Sequence, residues 1–344
     1  MKVRISFLLL VSCDKERRIA DYKTETIEID VPSSYLNAYV KKIVANDLLI
    51  GYNHLNHSLD LFDLKKLEPV SQIMLEMEGP KGITVSNLAV LDSMIITVGQ
   101  RDLVYLDFKG NILKRVSLEQ SDLSFDSLSL QSSMKYGNDS APLCLIKPTS
   151  RIYFDVFKSG DNFPSYLGFF DLSEEKFRIL RKRIFPAFTG DFGLLSDPDL
   201  IENDREHITL YTQYSDSIFE VDLNQNKIKR LRLKSSIVHG GAQRIKNGSP
   251  KEKHDHYVRN RFFGNLIYLE SKSMYCRVVN KSNPESMFDR TKQYLCFFNA
   301  SGEEINNFKL ADDALPFLMK HKNGVLMQLK SNEEGKMRFM KVLI

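Results

Sequence analysis

The stretch Ser93 to Leu118, SMIITVGQRDLVYLDFKGNILKRVSL, holds one nearly complete structural unit. Met94 to Val98 is apolar and rich in β-branched residues, Gly99 to Asp102 is a polar turn, and Leu103 to Phe108 resumes an extended pattern. Lys109-Gly110-Asn111 is a hairpin turn, after which Ile112 to Leu118 alternates apolar with polar residues. Runs of this length and composition, bounded by Gly, Asn and Asp, are strands, and turns this short join antiparallel neighbours. Ile83 to Leu91, separated from Met94 only by Asp92-Ser93, adds a fourth run. Four short strands in meander order are one blade of a β-propeller.

The unit recurs. Asp47-LLIGYNHLNHSLDLFDL is followed by PVSQIMLEM; Arg151-IYFDVF leads to YLGFFDL and KFRILRKR; His207-ITLYTQYSDSIFEVDL leads to KIKRLRL. In these four copies an Asp closes the third strand, at Asp63, Asp107, Asp171 and Asp222, and a fifth copy, YLCFFNASGEE, places Asn299 there. The intervals of 44, 64, 51 and 77 residues suit four-stranded blades with loops of unequal length. These closing residues read as structural, their side chains accepting backbone N–H bonds from the turn that follows. A sixth unit, FLMKHKNGVLMQLKSNEEGKMRFMKVLI, ends the chain after three strands. Tyr22 to Val31 (YKTETIEIDV) alternates with period two and belongs to no N-terminal blade, so it is the natural donor of the missing outer strand. The expected fold is all-β: a six-bladed β-propeller of four-stranded antiparallel blades, closed by pairing the N-terminal strand with the last blade, which leaves no open edge between blades.

The chain begins with a different signal. Lys2 and Arg4 precede the apolar run Ile5 to Val11, and Leu10-Val11-Ser12-Cys13 fits a bacterial lipobox, in which the Cys is lipidated and becomes the new terminus. The alternative, a buried first strand with a core Cys, leaves the abrupt change to Asp14-Lys-Glu-Arg-Arg18 unexplained. The predicted organisation is a signal peptide over 1–12, lipidation at Cys13, a tether over 13–21 and one propeller domain over 22–344. The partner so implied is a membrane, through the lipid anchor, and the location is the cell envelope. Loss of residues 1–12 removes Lys2 and Arg4 and takes the formal charge from +4 to +2, a near neutrality that argues against nucleic acid as a partner. No later run of about 20 apolar residues suggests a span.

Loop lengths divide unequally. The long insertions are Glu119 to Ala141, Ile184 to Asp197, Lys234 to His256 and Asn280 to Lys292. All four either connect an outer strand to the next blade or join second and third strands, and both kinds of loop share one propeller face. The turns at Asn46-Asp47, Asp92-Ser93, Lys109 to Asn111, Asn224 to Asn226 and Ala300 to Gly302 are short and form the other face. No amphipathic helix of useful length is expected. Long loops on a rigid scaffold usually carry function, which marks the insertion face as the binding surface.

The lipobox at Cys13, the phrase LDLFDLKKLEPVSQIMLEMEGPKGI followed by LDSMIITV, the YLDFKGNI unit and NLIYLESKSMYCRVV together resemble the β-propeller lipoproteins of unknown function found in Bacteroidetes, propellers of TolB-like or NHL-like type. The resemblance covers nearly the whole chain after Cys13. It implies a six-bladed propeller in the cell envelope, at the outer membrane with a periplasmic or surface orientation, and it carries over no catalytic residues. Cys276 departs from the family pattern, which tends to a second aromatic there.

Candidate chemistry comes from individual residues. His254-Asp255-His256, on an extended segment, would point two imidazoles the same way and with His239 could hold a divalent metal; the flanking Lys251-Glu-Lys253 favours a solvated polar loop instead. His54 and His57 bracket a second-to-third-strand loop on the same face. Arg101-Asp102, Asp161-Asn162, Tyr214, Asp216 and Arg290 fall in loops there too and would line the channel mouth, with Tyr214 as a stacking platform for a polar ligand; turn chemistry accounts equally for the Asp and Asn residues. Cys276 and Cys296 lie on neighbouring strands, which raises a disulfide, although strand thiols are more often buried apolar groups. No GxSxG elbow, P-loop, CxxC pair or EF-hand loop occurs. Two readings remain: a lipid-anchored binding or scaffolding propeller presenting a loop-rich face to a protein, peptide or glycan, with no cofactor, and a metal-dependent hydrolase or lyase with a histidine-lined site at the channel. The first is preferred.

Overall fold

A computed structural model describes residues 22–344 apart from 46, 100–101, 118–127, 131–143, 159–165, 184–198, 204–205, 226, 246–247, 261, 282–291, 323 and 332. The predicted signal peptide, Cys13 and most of the tether therefore lie outside the described residues. Strand β1 (Lys23–Asp30) comes first. Blade one is β2 (Tyr39–Ala45), β3 (Leu48–Asn53), β4 (Ser58–Asp63) and β5 (Glu68–Met74), and blade two is β6 (Asn87–Leu91), β7 (Met94–Val98), β8 (Asp102–Asp107) and β9 (Ile112–Ser117). Blade three is β10 (Leu128–Leu130), β11 (Cys144–Ile146), β12 (Arg151–Lys158), β13 (Tyr166–Asp171) and β14 (Lys176–Arg183). Blade four is β15 (Asp199–Glu202), β16 (His207–Tyr211), β17 (Ser217–Asp222) and β18 (Lys227–Arg232), followed by the helix α1 (Pro250–Asn260). Blade five is β19 (Phe263–Leu269), β20 (Met274–Lys281), β21 (Lys292–Asn299) and β22 (Glu304–Lys309). Blade six is β23 (Ala314–His321), β24 (Gly324–Leu329), β25 (Lys336–Leu343) and β1.

The ring closes as the sequence implies. β1 pairs antiparallel with β25 without a shift, from Lys23 opposite Leu343 to Asp30 opposite Lys336. Its alternation is that of an outer strand, with Ile27 and Ile29 buried and Glu28 and Asp30 exposed. The molecule is thus a six-bladed propeller of antiparallel blades four strands deep, with two short strands, β10 and β11, sharing the inner position of blade three.

The period of two explains the core. A central strand is covered on both faces, so successive side chains enter two different layers. Ile95, Val104 and Leu106 face blade one, while Ile96, Val98, Leu103 and Tyr105 face blade three. Repeated around the ring, this produces one apolar layer between each pair of adjacent blades. The same parity settles the thiols of blade five. Cys276 stands opposite Phe297, and Cys296 opposite Arg277, so Cys276 enters the layer towards blade six and Cys296 the layer towards blade four. Both are free and buried, and their opposite directions preclude a bridge.

The recurrent Asp residues close their turns as expected. Asp107 Oδ1 accepts the backbone N–H groups of Lys109 and Asn111, each at 2.8 Å. Asp63, Asp171 and Asp222 each accept two N–H groups in the same way, and Asn299 does so for Ser301 and Glu303. Donation to the ionised form lowers the pKa of Asp63 and Asp107.

Two expectations are corrected. The insertion Glu119 to Ala141 contains a strand: β10 pairs with Val156 to Lys158 and β11 with Arg151 to Tyr153, so the inner edge of blade three is made in two pieces. Leu128-Ser129-Leu130 is too short for its alternation to register. The insertion Lys234 to His256 contains most of α1, whose start is a capping box: Glu252 N–H lies 3.3 Å from Ser249 Oγ, and Ser249 N–H donates to the Glu252 carboxylate at 2.7 Å. With Pro250 at the first helical position, Ser-Pro-Lys-Glu was a legible start signal. Hydrophobic periodicity missed it because the helix is largely polar, PKEKHDHYVRN.

Candidate functional site at the channel mouth

Within each blade the inner strand starts at the insertion face and runs towards the face of short turns. The inner strands of neighbouring blades touch around the ring, among them β2 with β6 and β23, and β19 with β15 and β23. Buried polar side chains gather where inner strands begin: Lys41 and Lys42 on β2, Ser86 and Asn87 at β6, Asp199 on β15 and Asn265 on β19. Three consecutive inner strands also bulge at this end. The ladder shifts between Tyr39 and Lys41 in β2, between Phe263 and Leu266 in β19, and between Ala314 and Leu318 in β23. Bulges break the ladder locally and redirect side chains, and they recur beside functional sites.

In blade one the tyrosine ring of Tyr39 lies over Gly51, where an added Cβ would come within 2.6 Å of the ring. This close approach brings the Tyr39 hydroxyl to Asp60, to which it donates at 2.8 Å. The buried Asp60 carboxylate also accepts from Ser58 Oγ at 2.8 Å and Gln72 Nε2 at 2.9 Å. Burial first and the Asp60 charge second raise the Tyr39 pKa. Beside this network Lys42, only 5% exposed, donates to the Tyr39 carbonyl at 2.8 Å and lies 5.5 Å from the centre of the Phe317 ring in blade six. Burial draws its pKa down to about 8.

Between blades four and five the fully buried Arg277 clamps the second-to-third-strand loop of blade four. Its guanidinium donates to the carbonyls of Thr212 at 2.6 Å and Ser215 at 3.0 Å and lies over the rings of Phe263 and Tyr211. Burial lowers its pKa to about 10, which leaves it cationic at neutral pH. Among the described residues no carboxylate accepts from it directly; carbonyl dipoles and aromatic faces meet the charge, with Asp216 and Asp199 acting on it at longer range.

The rim of blade one is apolar and exposed. Leu36, Leu55, Met74 and Met77 are all exposed here, Leu55 by 62% and Met77 by 75%. Met74 ends β5, and the loops that carry the other three are tied together. His54 Nδ1 lies 2.9 Å from the Ala38 carbonyl, and Asn56 Nδ2 donates to Ser34 at 2.7 Å. The buried ring of His57 spans Tyr52 Oη at 2.9 Å and the Glu76 carbonyl at 3.2 Å, an arrangement satisfied when Nε2 donates to the carbonyl and Nδ1 accepts from the phenol.

His54 and His57 therefore lie on the expected face, and their contacts position its loops. Tyr214 is not a stacking platform: it is buried, packed against Ala242 and Tyr257 beneath α1. Asp216 is buried in an ion pair, 2.6 Å from Arg232 Nε. The structure does not bring the expected metal set together. His254 and His256 lie on a helix, where residues two apart diverge by about 200°; His254 and His239 are exposed, and His256 Nε2 is engaged with the Gln243 carbonyl at 2.5 Å. Among the described residues no three His, Cys, Asp or Glu side chains converge as metal ligands. Arg101, Asp161, Asn162 and Arg290 lie outside the described residues. Sequence reasoning missed Lys42 and Asn265, whose burial depends on neighbouring blades, and the rim Leu36, Leu55, Met74 and Met77, single exposed apolar residues that belong to no periodic pattern.

The chain belongs to the family described as a domain of unknown function (DUF4221), whose pattern matches residues 17–301. A member of that family from Bacteroides vulgatus has a crystal structure that superposes with a TM-score of 0.67 at 15% identity, covering 94% of this chain and 97% of that one. A protein from Bacteroides fragilis described as exported superposes at 0.53 with 12% identity, over 93% and 95% of the two chains. The Pan2 WD40 domain of Neurospora crassa superposes at 0.50 with 11% identity, over 92% and 95%. At these identities the likeness is one of fold. No functionally curated protein matches the chain.

Proposed function

We propose that this member of the DUF4221 family is a lipid-anchored, cell-envelope binding propeller whose insertion face holds a protein or peptide beside the channel mouth. The observation that carries the reading is the rim of blade one. Leu36, Leu55, Met74 and Met77 stand exposed at one end of one blade, in or beside loops held in place by His54, His57 and Asn56. Exposed apolar groups gathered at one place mark an interaction site, and methionine adapts to irregular partners. These aliphatic and thioether groups favour a peptide over a glycan, which is gripped on aromatic faces. The lipobox at Cys13 and the description of the Bacteroides fragilis relative as exported support the location.

Grouped substitution tests the face. Leu55→Asp with Met77→Asp should abolish retention of peptides from a mixed hexapeptide library on the immobilised protein while the melting temperature stays near wild type. Lys109→Ala with Asn224→Ala, on the opposite face, should change neither. Loss of retention in the second pair and not the first would reverse the assignment. For the anchor, Cys13→Ala should move the protein from the membrane to the soluble fraction and remove acyl labelling.

A further inference from the structure

The three bulged inner strands are consecutive around the ring, with β23 touching β19 on one side and β2 on the other. Three residues lie in or beside these bulges, on the inner strands of blades five, six and one, and the Lys42 ammonium stands 5.5 Å from the centre of the Phe317 ring. Asn265 is in the bulge of β19, Phe317 in that of β23, and Lys42 follows that of β2. Among the described residues Lys42 donates to one acceptor, the Tyr39 carbonyl, and no carboxylate pairs with it. An ammonium has three N–H donors, and a buried charge without a countercharge is unfavourable. The acid in the same blade is already committed, since Asp60 accepts from Tyr39, Ser58 and Gln72. Asn265 is 2% exposed, and among the described residues neither its amide nitrogen nor its oxygen meets a partner. Buried amides are normally satisfied on both sides. Arg277, by contrast, finds three acceptors, the carbonyls of Thr212, Ser215 and, at 3.4 Å, Gly264.

An ammonium lacking an anion and an amide lacking both partners match the end of a peptide chain, which offers a carboxylate next to a peptide N–H and C=O. The apolar rim lies at the end of blade one where β2, the strand of Lys42, begins. We propose that the channel mouth between blades five, six and one binds the C-terminal carboxylate of a peptide, with Lys42 as its countercharge and Asn265 as hydrogen-bonding partner of the last peptide group. This rests on the peptide-binding reading of the rim.

The test uses hexapeptides with free carboxyl termini and the same peptides amidated, applied to the immobilised full chain. Free acids are expected to be retained roughly tenfold better, the scale of one hydrogen bond to a charged group. Lys42→Met should abolish that preference without lowering the melting temperature, Lys42→Arg should restore part of it, and Asn265→Leu should reduce retention of the free acids. Leu55→Asp with Met77→Asp should abolish retention of both libraries alike. Equal retention of acids and amides by the wild type, or an undiminished preference in Lys42→Met, overturns the proposal while the rim variants still report whether peptides bind at all. Retention of oligogalacturonate with neither peptide library held overturns both this proposal and the peptide reading beneath it.

Discussion

Replacing Ile29 with alanine tests the closure of the ring. The side chain is fully buried, stands opposite Met337 and joins the layer formed with Leu326, Phe339, Tyr39, Leu49 and Phe317. Truncation removes three carbons from a site bounded by two blades, so the surroundings collapse only in part, and such changes typically cost about 2–5 kcal/mol. An unfolding entropy of about 2 cal/mol/K per residue over roughly 320 residues makes 1 kcal/mol worth about 1.5 °C. The expected fall in Tm is then roughly 3–7 °C. Thr24→Ala, at an exposed position on the same strand, should stay within about 0.5 kcal/mol. Urea titration followed by fluorescence and circular dichroism measures both variants and shows whether the two probes coincide, as two-state analysis requires. An Ile29→Ala variant as stable as Thr24→Ala would refute the claim that β1 is an integral strand of blade six.

Stability should also report the buried lysine. The Lys42 pKa falls from about 10.5 to about 8 on folding, so the unfolded chain binds more protons between these values and stability gains up to about 3 kcal/mol as pH rises from 8 to 10.5; the gain, measured as a difference from Lys42→Met, should vanish in that variant. At the repeated turns Asp222→Asn should be nearly neutral, because Asn299 already does this work in blade five, whereas Asp222→Ala should lose about 1 kcal/mol, read from chemical denaturation. Ser249→Ala should remove the cap of α1 and cost about 1 kcal/mol of local stability, seen as faster amide exchange over 251–257. Thiol titration of the unfolded Cys13→Ala protein without reductant should find Cys144, Cys276 and Cys296 all free; a Cys276–Cys296 bridge would contradict the parity of blade five.

The sequence by itself determined the ring. Strand period, the Asp that ends each third strand and the orphan alternation of Tyr22 to Val31 are local signals, each set by a few neighbouring residues, and together they specify six blades and their closure. They also specified the richer face, because loop length and strand direction are both readable along the chain. Tertiary structure decided what the residues on that face do. Tyr214 and Asp216 look like exposed loop residues, but α1 and Arg232 cover them. His254 and His256 look paired, but a polar helix turns them apart. Lys42 and Asn265 look like ordinary strand positions, and the ladder shifts in or beside which they lie arise only when each inner strand is laid against its neighbour. Periodicity describes one strand against an average environment, whereas burial, countercharge and an unmet hydrogen bond depend on residues brought together from different blades.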